Sequence, residues 1–589
     1  MKKTVLSGNE AFARAAYEAG VAVASAYPGT PSTEILENIT QYERIDASWA
    51  PNEKVALEVG IGSSMGGART IVTMKHVGVN VAADPLFTFS YTGVRGGFVL
   101  VVADDPEMHS SQDEQDSRHY ARFAKVPMFE PADSQEALDF TRLAFDVSEK
   151  FDAPIMLRST TRISHSKSVV ETGEPLETLP ETGLQRDPGK FVMLPGNARV
   201  RHPIVEQRLL DMADWACDQG FNRVEKVGGK IGIITAGVAY QYAREVFPDA
   251  DILKLGLVFP LPKQMILDFA ANYDTIYVIE ELDPFIEEQV KAMGIDCIGK
   301  EKVPICGELS PGRLRKAFGL EGAANTEVAP VQEALPPRPP NMCPGCPHRG
   351  VFHGLNRLKA YVTGDIGCYT LGFMPPLSAM DTCICMGASI GNATGLSKVL
   401  DDEERKKVVA VIGDSTFLHT GINGLMDMVY NKSTATVIIL DNSTTGMTGR
   451  QDNPSTGYAL DGTGAPQVDL EAICRALGVK HVETLDPYEM DNTRERLKAA
   501  MERPEVSVII TRRPCVLVKH DMFQRKAPLY VDNEKCTGCK ACLSIGCPAI
   551  EWNPNEGKRG VAKVDRMLCT GCGICEQLCK FDAFGVCDE

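Results

Sequence analysis

The chain has 589 residues, a hydrophobic fraction of 44% and a formal net charge of −17. Its length allows roughly three to five domains, and its acidic balance argues against a protein that binds nucleic acid through a basic surface. No apolar run approaches the roughly 18 residues that cross a bilayer, and no export signal follows the N-terminus, so we expect a cytoplasmic protein, outside the membrane, whose 19 cysteines are metal ligands and free thiols.

The first predicted domain covers residues 1–168 and alternates short apolar runs with helical patterns. A helix is expected near "NEAFARAAYEAG", and strands are expected at "VAVASAY", "TIVTMK", "GFVLVVA" and "APIMLRS". This alternation predicts a largely parallel sheet with helices on its faces.

Further segments follow the first domain. Proline, glycine and glutamate predict a linker and lead-in at 169–228, and 229–330 repeats the strand–helix rhythm as a smaller α/β domain. A proline-rich linker, "EALPPRPP", precedes a third α/β domain at 341–523 and a cysteine-rich tail at 524–589. The sequence thus predicts a multidomain α/β protein that ends in a small α+β domain.

The tail carries two runs of cysteine. The second run keeps the C-x2-C-x2-C-x3-C spacing of a bacterial two-cluster ferredoxin, and the first has one extra residue before its last cysteine. In such ferredoxins the fourth cysteine of each run binds the other cluster. This crossed pattern assigns one [4Fe-4S] cluster to Cys536, Cys539, Cys542 and Cys579, and the other to Cys569, Cys572, Cys575 and Cys547. A pair of zinc knuckles is the alternative, which the lack of histidine disfavours.

Polar residues follow two predicted strands of the third domain. "VVAVIGDS" ends in Gly413, Asp414 and Ser415, and "TVIILDNST" continues into Asn442 and Thr444. Open α/β sheets bind ligands at the carboxyl ends of their strands, and Mg²⁺ is commonly shared between protein oxygens and substrate phosphates. We therefore expect Asp414, Asn442 and a carbonyl group near Thr444 to hold Mg²⁺ against a diphosphate.

This pattern resembles the thiamine-diphosphate motif, in which Gly-Asp-Gly is followed at a distance by Asn, and Ser415 replaces the last glycine. The alternative is a plain strand-end turn. Both sheet domains of the predicted fold are then of the thiamine-binding type.

Thiamine enzymes also need a glutamate on a second α/β domain, where it hydrogen-bonds the aminopyrimidine ring. Glu58 lies among Val55, Val59 and Ile61, and small residues follow it. A carboxyl on a face that packs against another domain would have a raised pKa through desolvation. We expect Glu58 to take this role, and we expect Glu53 to be a solvated helix residue.

These patterns together resemble the 2-oxoacid:ferredoxin oxidoreductases, over nearly the whole chain. "SAYPGTPSTE" resembles the substrate loop of that family, "LEVGIGSSMGGA" the segment with the pyrimidine glutamate, and "CPGCPHR" the opening of the diphosphate domain. The order of the parts is that of the alpha subunit in the indolepyruvate branch, which "TMKHVGVN" and the variant tail spacing also resemble.

The resemblance implies oxidative decarboxylation of an arylpyruvate such as indolepyruvate. Carbon dioxide leaves, coenzyme A takes the acyl group, and two electrons pass through the clusters to ferredoxin. Thiamine diphosphate, Mg²⁺ and two [4Fe-4S] clusters are the implied cofactors. A separate small beta subunit is implied as well, in an expected α2β2 heteromer.

The substrate carboxylate needs a cation or a hydrogen-bond donor. Thr30 matches the threonine that meets this carboxylate in the family. Pyruvate-specific relatives carry an arginine after the third strand, where this chain has acids in "VVADDPEMHSSQDEQDSR". Lys75 and His76, at the end of the strand "TIVTMK", are the remaining candidates, and a surface lysine with a hydrogen-bonded histidine is the alternative.

A third cysteine pattern lies in the body of the protein. Cys343 and Cys346 form "CPGC", Cys368 follows in "GDIGCYTLG", and Cys515 stands in "TRRPCVL". The pattern resembles a cluster beside thiamine in related enzymes, and we expect a third [4Fe-4S] cluster here. Structural zinc and buried free thiols are the alternatives. Cys383 and Cys385, in "TCICMG", are expected to be core thiols of this last kind.

Two other functions share part of this evidence. A thiamine-dependent decarboxylase or lyase without redox chemistry would need Asp414 and Glu58, but it would have no use for the tail. A non-catalytic iron–sulfur subunit for electron transfer would bind no thiamine.

Overall fold

A computed structural model describes residues 2–177, 180, 182–183, 185–320, 339–520 and 522–587. The chain divides into two compact units, Met1–Pro330 and Val331–Glu589. Parts of both predicted linkers, the last ten residues of the predicted small domain, residue 521 of the third domain and the last two residues of the tail lie outside the described residues.

The first unit contains thirteen strands and thirteen helices among its described residues. The strands are β1 (Lys2–Ser7), β2 (Val23–Ala26), β3 (Asp46–Trp49), β4 (Thr70–Lys75), β5 (Phe98–Asp104), β6 (Met128–Phe129), β7 (Ile155–Thr160), β8 (Lys167–Thr172), β9 (Arg223–Glu225), β10 (Ile231–Ala236), β11 (Asp251–Leu255), β12 (Leu257–Phe259) and β13 (Thr275–Ile279). The helices are α1 (Gly8–Glu18), α2 (Thr33–Ile39), α3 (Glu53–Met65), α4 (His76–Thr92), α5 (Ser117–Ala124), α6 (Ser134–Phe151), α7 (Thr161–His165), α8 (Pro188–Phe191), α9 (Pro195–Ala216), α10 (Gly237–Val246), α11 (Lys263–Ala270), α12 (Phe285–Ala292) and α13 (Pro311–Ala317).

The larger sheet of this unit has seven strands in the order β12-β6-β7-β5-β4-β2-β3. All neighbours are parallel except β12, which pairs antiparallel with β6. Every residue of β4 and β5 is buried, as expected for central strands that are covered on both faces. The carboxyl ends of β2, β4 and β5 therefore meet at one edge of the sheet.

A smaller sheet, β13-β10-β11-β9, packs beside the larger one, and its strand β9 is antiparallel. One continuous hydrophobic cluster joins Val72 and Leu100 of the larger sheet to Leu253 and Phe285 of the smaller domain. Since β12 follows β11 directly but joins the larger sheet, the two layers fold as one unit.

Buried ion pairs lie in this unit, and the pair of Arg118 with Glu280 crosses the contact. The guanidinium of Arg118 binds Asp116 and, at 2.5 Å, Glu280 of the smaller domain, and Arg158 binds Asp104 at 2.6 Å and also Glu130. Each buried guanidinium thus has carboxylate partners, which is the condition for burying charge in a folded protein.

The second unit is built on a six-stranded sheet that is parallel throughout, in the order β15-β14-β16-β17-β19-β18. Its strands are β14 (Tyr361–Gly364), β15 (Thr382–Cys383), β16 (Val408–Gly413), β17 (Thr436–Asp441), β18 (His481–Leu485) and β19 (Ser507–Arg512). Its helices are α14 (His348–Leu358), α15 (Ala388–Ser397), α16 (Asp402–Arg405), α17 (Asp414–Thr416), α18 (Ile422–Tyr430), α19 (Leu470–Ala476) and α20 (Met490–Met501).

The tail adds two small antiparallel sheets to this unit. Strand β20 (Leu529–Val531) pairs with β23 (Phe584–Val586), and β21 (Ile550–Asn553) pairs with β22 (Val561–Val564). Along the chain, short 3₁₀ helices at Ala541–Ile545 and Glu576–Leu578 precede β21 and β23, respectively. This is the predicted ferredoxin-like α+β arrangement, so the predicted fold class is confirmed.

One region differs from the sequence-based prediction. The predicted linker and lead-in at 169–228 contains α9, a helix of 22 residues with Pro203 inside it. Proline disfavours a helix interior, so the prolines and glycine around this segment indicated a linker and not a helix. None of the described helices combines the length and apolar character that crossing a bilayer requires.

Candidate active site

The parallel pairing of β16 with β17 sets Gly413 opposite Leu440, so both strands deliver their next residues to the same edge of the sheet. Asp414 follows the first strand and Asn442 follows the second. Both are buried, as are Ser415 and Thr444. The structure thus brings the predicted diphosphate-side residues to one edge, as parallel topology requires.

Asp414 carries a buried carboxylate whose hydrogen-bond donors, among the described residues, are neutral. Its Oδ2 accepts from Ser455 Oγ at 3.1 Å and from Asn453 Nδ2 at 3.4 Å. Burial, together with the charge of Asp441, raises the pKa of Asp414 to about 7. A buried carboxylate in such surroundings gains stability from a bound cation, and its oxygens suit Mg²⁺.

The turn after β17 presents further oxygen atoms. Asn442 Oδ1 accepts from the backbone N–H of Thr444 at 3.3 Å, and Thr445 Oγ1 donates to Ser415 Oγ at 2.9 Å. Ser443 has φ of 55°, so the chain turns sharply here. The donor set of Asp414, Asn442 and a backbone carbonyl near Thr444 therefore fits a hard cation that also binds a diphosphate.

The body cysteines lie next to this turn. The backbone N–H of Cys515 donates to the carbonyl oxygen of Asn442 at 2.9 Å. A Cβ added at Gly446, in the same turn, would lie 3.3 Å from Sγ of Cys368. Two of the four predicted ligands of the third site therefore border the diphosphate motif.

The four body cysteines share one neighbourhood. Burial raises the pKa of the Cys368 thiol to about 11, and negative charge on Cys515 and Cys343 contributes to this shift. Burial also raises the pKa of Cys346, to about 12, and Cys515 and Cys368 again add to the shift. Such thiols would stay protonated without a metal, and a metal bound by thiolates removes the protons.

The tail cysteines fall into the two crossed groups. A small cavity is lined by Cys536, Cys539, Cys542 and Cys579 together with Lys540, Trp552 and Phe581. Burial raises the pKa of Cys575 strongly, and negative charge on Cys572, Cys547, Cys569 and, least of these, Cys542 of the first group adds to the shift. The cavity brings the first group together and gives it room for a cluster, and the cysteines that act most strongly on Cys575 are those of the second group.

The extra residue before Cys547 has a structural explanation. Gly546 ends a 3₁₀ helix with φ of 66°, and a Cβ there would lie 2.7 Å from Cδ of Pro376. Glycine alone adopts this conformation readily and leaves room for the neighbour. The loop therefore takes up the additional residue and still brings Cys547 to the second group.

In the first unit, Lys75 and Thr30 approach each other at the carboxyl edge of the larger sheet. Nζ of Lys75 donates to the backbone oxygen of Ser110 at 2.6 Å, and Ser110 Oγ lies 3.5 Å from the backbone oxygen of Thr30. Burial lowers the pKa of Lys75, whereas the charges of Asp105 and Asp113 raise it. The acids that replace the expected arginine thus surround a buried lysine.

His76, the first residue of α4, is completely buried. Neither of its ring nitrogens makes a hydrogen bond to a described residue, and Nε2 lies 3.9 Å from Oδ1 of Asp113. A buried imidazole without hydrogen-bond partners is costly, and a bound ligand with an acceptor atom would remove this cost.

The two glutamates of α3 have opposite surroundings. The side chain of Glu58 is 44% exposed and pairs with Lys54, one turn earlier. Glu53 is only 4% exposed, and a Cβ added at Gly78, in the first turn of α4, would lie 2.7 Å from its Oε1. The desolvated surroundings expected for Glu58 are therefore those of Glu53.

Several polar residues of the site were not identified from the sequence. Asn453 and Ser455 lie far along the chain from Asp414, and only the fold shows that they contact its carboxylate. His348 is buried with Nε2 3.5 Å from Nδ2 of Asn442, and burial lowers its pKa to about 4. Its position directly after "CPGCP" was the one available signal. Cys385 is exposed, so the prediction that it is a core thiol was wrong.

Sequence profiles of three families match separate parts of the chain. Residues 14–219 match "Pyruvate flavodoxin/ferredoxin oxidoreductase, thiamine diP-bdg". Residues 365–511 match "Thiamine pyrophosphate enzyme, C-terminal TPP binding domain", and residues 535–583 match "4Fe-4S dicluster domain". The matches fall on the two large sheets and on the tail.

Full-length relatives carry one common description, "Indolepyruvate oxidoreductase subunit IorA". The protein of Archaeoglobus fulgidus is 42% identical over 610 residues, which cover 98% of this chain and 96% of that one. The protein of Thermococcus kodakarensis is 41% identical, with 99% of this chain and 97% of that one covered. The protein of Methanothermobacter thermautotrophicus is 40% identical with the same coverage. The chain therefore belongs to the family of indolepyruvate oxidoreductase subunit IorA, among the thiamine-dependent 2-oxoacid:ferredoxin oxidoreductases.

Proposed function

We propose that the chain is the alpha subunit of an enzyme that oxidises arylpyruvates, indolepyruvate among them, to arylacetyl-coenzyme A. One 2-oxoacid anion and one coenzyme A thiol give the thioester, carbon dioxide, one proton and two electrons, and two ferredoxins take one electron each. The observation that carries this proposal is the contact of a cysteine site with the diphosphate motif, through Cys515 and Asn442. A thiamine enzyme without redox chemistry has no need for this arrangement.

Bound thiamine diphosphate would supply the electron sink that allows the bond between the keto carbon and the carboxylate to break. Asp414, Asn442 and a carbonyl near Thr444 would hold the Mg²⁺ that binds its diphosphate. The buried oxygen ligands of these residues support this role, and the raised pKa of Asp414 is the shift that a bound cation would reverse.

Lys75, His76 and Thr30 are proposed to bind the oxoacid carboxylate. The support is that Lys75 is buried beside the Thr30 loop and that His76 lacks hydrogen-bond partners among the described residues. A carboxylate would give His76 an acceptor and would lie beside the cationic Lys75, so one ligand group could contact both. The proposal also includes coenzyme A, a separate small beta subunit and an α2β2 assembly. The relatives are named as subunits, which supports a partner subunit.

For the pyrimidine-side carboxylate we propose Glu53 in place of Glu58. The role requires a carboxyl that is shielded from water and faces a ring nitrogen. Glu53 is buried against the backbone of α4, whereas Glu58 is paired with Lys54 in solvent. Glu58 stays a sequence-based prediction that the same experiment can test.

The proposed reaction is tested on the anaerobically purified protein with its beta subunit. We expect thiochrome fluorescence from the denatured protein to show bound thiamine. We expect viologen reduction to require coenzyme A and to be faster with indolepyruvate, phenylpyruvate or hydroxyphenylpyruvate than with pyruvate or 2-oxoglutarate. Carbon dioxide release without viologen reduction would identify a lyase, and protein without thiamine would identify an electron-transfer subunit.

Glu53→Gln and Glu58→Gln separate the two glutamates of α3. Because a lost proton relay costs roughly 10²–10⁴-fold in rate, we expect Glu53→Gln to lose viologen reduction on this scale, with iron content and circular dichroism unchanged. Glu58→Gln is the matched control on the same helix and should stay within a few-fold of wild type. The opposite result would return the role to Glu58.

Iron analysis tests the third cluster. Two [4Fe-4S] clusters give about eight iron atoms per chain and three give about twelve. We expect about twelve in the wild type, about eight in Cys515→Ser, and no change in Cys306→Ser, where an exposed cysteine is replaced. Iron near eight in the wild type, or one zinc that Cys515→Ser loses, would contradict the third cluster.

The basic hairpin between β21 and β22 is the proposed docking site for ferredoxin. Residues 525–589 carry nine Lys and Arg and nine Asp and Glu, so the remainder of the chain carries the whole charge of −17. Lys558 and Arg559 are exposed, and a Cβ added at Gly538, in the loop of the first cysteine group, would lie 3.0 Å from Cβ of Arg559. Lys563 contributes less because it pairs with Glu556 at 2.7 Å.

We expect Lys558→Glu combined with Arg559→Glu to slow ferredoxin reduction several-fold at low salt, because association with an acidic partner depends on opposite charge. Reduction of a small viologen should not change. Lys406→Glu with Lys407→Glu makes the same charge change on an exposed segment of the second unit and serves as the control. Equal slowing with both acceptors would mean that the hairpin charges act on stability.

A further inference from the structure

Arg349, the second residue of α14, is a long cationic side chain in the interior of the second unit. It is 1% exposed. Its hydrogen-bond acceptors are carbonyl oxygens: the backbone oxygens of Met342, Cys343, Ile545 and Gly546, and Oδ1 of Asn341. No carboxylate is among these acceptors, in contrast to the buried Arg118 and Arg158 of the first unit.

The acceptors of Arg349 belong to two loops that each carry cysteines. Nε donates to the oxygen of Cys343 at 3.2 Å, in the "CPGC" loop of the body. Nη1 donates to the oxygens of Ile545 at 3.0 Å and Gly546 at 2.8 Å, directly before Cys547 of the tail. One guanidinium therefore fastens a ligand loop of the body site to a ligand loop of the second tail group.

The body site and the second tail group also approach each other at Gly345. Tyr488 donates its hydroxyl hydrogen to the oxygen of Gly345 at 2.5 Å. A Cβ at Gly345, which has φ of 72°, would lie 2.1 Å from Oγ1 of Thr570, which stands between Cys569 and Cys572. Only glycine permits this approach. The body site thus lies against the tail group of Cys547, Cys569, Cys572 and Cys575.

Arg349 lies beside both sites, since its guanidinium donates to the oxygen of Cys343 and to the two residues directly before Cys547. Burying a cation without a carboxylate partner is costly, and no carboxylate is among the hydrogen-bond acceptors of Arg349 in the described part of the chain. Clusters held by four thiolates carry net negative charge, and they would supply a counter-charge.

A fixed positive charge also changes how readily a cluster takes up an electron. Reduction adds one negative charge to a cluster, so a nearby cation stabilises the reduced state and raises the reduction potential. The effect is larger inside a protein than in water, because the effective dielectric constant is lower.

We propose that Arg349 is a positioning residue for electron transfer, which holds the body site against the second tail cluster and raises the reduction potentials of both. Electrons from the body would then enter the tail at the group of Cys547 and leave through the group with the exposed Cys539. The inference rests on the proposed function where it concerns the body site, whereas the tail clusters do not depend on it.

The test compares Arg349→Met with Arg349→Lys, which keeps the charge but not the planar fork. Arg357→Met is the matched control, because Arg357 lies on the same helix and is exposed. The readouts are iron and sulfide per chain and a redox titration followed by electron paramagnetic resonance. We expect Arg349→Met to lower the equilibrium constant for reduction of the adjacent tail cluster about tenfold, equivalent to ~59 mV for one electron.

Arg349→Lys should retain most of the potential, and Arg357→Met should titrate as wild type. Full iron with an unchanged potential in Arg349→Met would overturn the proposal, as would an equal shift in Arg349→Lys and Arg349→Met. If Arg349→Met loses iron, Arg349→Gln replaces it, since its amide can still donate to the carbonyl oxygens, and equal potentials in the Lys and Gln variants would overturn the proposal.

The iron count of the wild type keeps this test separate from the proposed function. With about eight iron atoms the body site holds no cluster, and the proposed third cluster fails. The shift of the tail cluster in Arg349→Met is still measured in that case, so its presence or absence decides the role of Arg349 independently.

Discussion

The hydrogen bond from the Cys515 N–H to the Asn442 carbonyl oxygen connects the proposed diphosphate site with the proposed cluster site of the body. Asn442 stands at the end of β17 because parallel strands place their carboxyl ends at one edge. Cys515 follows β19, the next strand of the sheet, for the same reason. The topology of one sheet therefore places the proposed diphosphate-side ligand Asn442 next to the proposed cluster ligand Cys515. No long-range electrostatic effect is needed to bring them together.

Buried charged side chains have different kinds of hydrogen-bond partners in the two units. In the first unit, Arg118 and Arg158 have carboxylate partners, and the pair of Arg118 with Glu280 connects the larger-sheet domain with the smaller one. In the second unit, Asp414 and Arg349 are buried, and their hydrogen-bond partners in the described part of the chain are neutral. A buried carboxylate or guanidinium without a counter-charge is stabilised when a ligand supplies the opposite charge. The negative charge of Asp414 suits a bound cation, and the positive charge of Arg349 suits a negatively charged cluster held by thiolates.

Local patterns in the sequence predicted much of this arrangement. The cysteine spacing predicted both tail groups, and the residues after two apolar strands predicted the diphosphate site, because these signals depend on a few neighbouring residues. Properties that depend on packing were not predictable in this way. Which of Glu53 and Glu58 is shielded from water depends on which side of α3 faces α4, and the apolar neighbours Val55, Val59 and Ile61 do not show this. Val59 is itself 42% exposed.

Contacts between residues far apart in the chain were also not predictable from local sequence patterns. β12 continues the smaller domain in sequence but joins the larger sheet in space, and Asn453 and Ser455 reach Asp414 from a loop without a recognisable motif. Arg349 shows the same limit within a motif that was recognised. "CPGCPHR" marked the loop, but the second set of acceptors, at Ile545 and Gly546, lies almost 200 residues away. The function of a buried polar side chain is thus set by what the fold brings to it, and its sequence neighbours show only where to look.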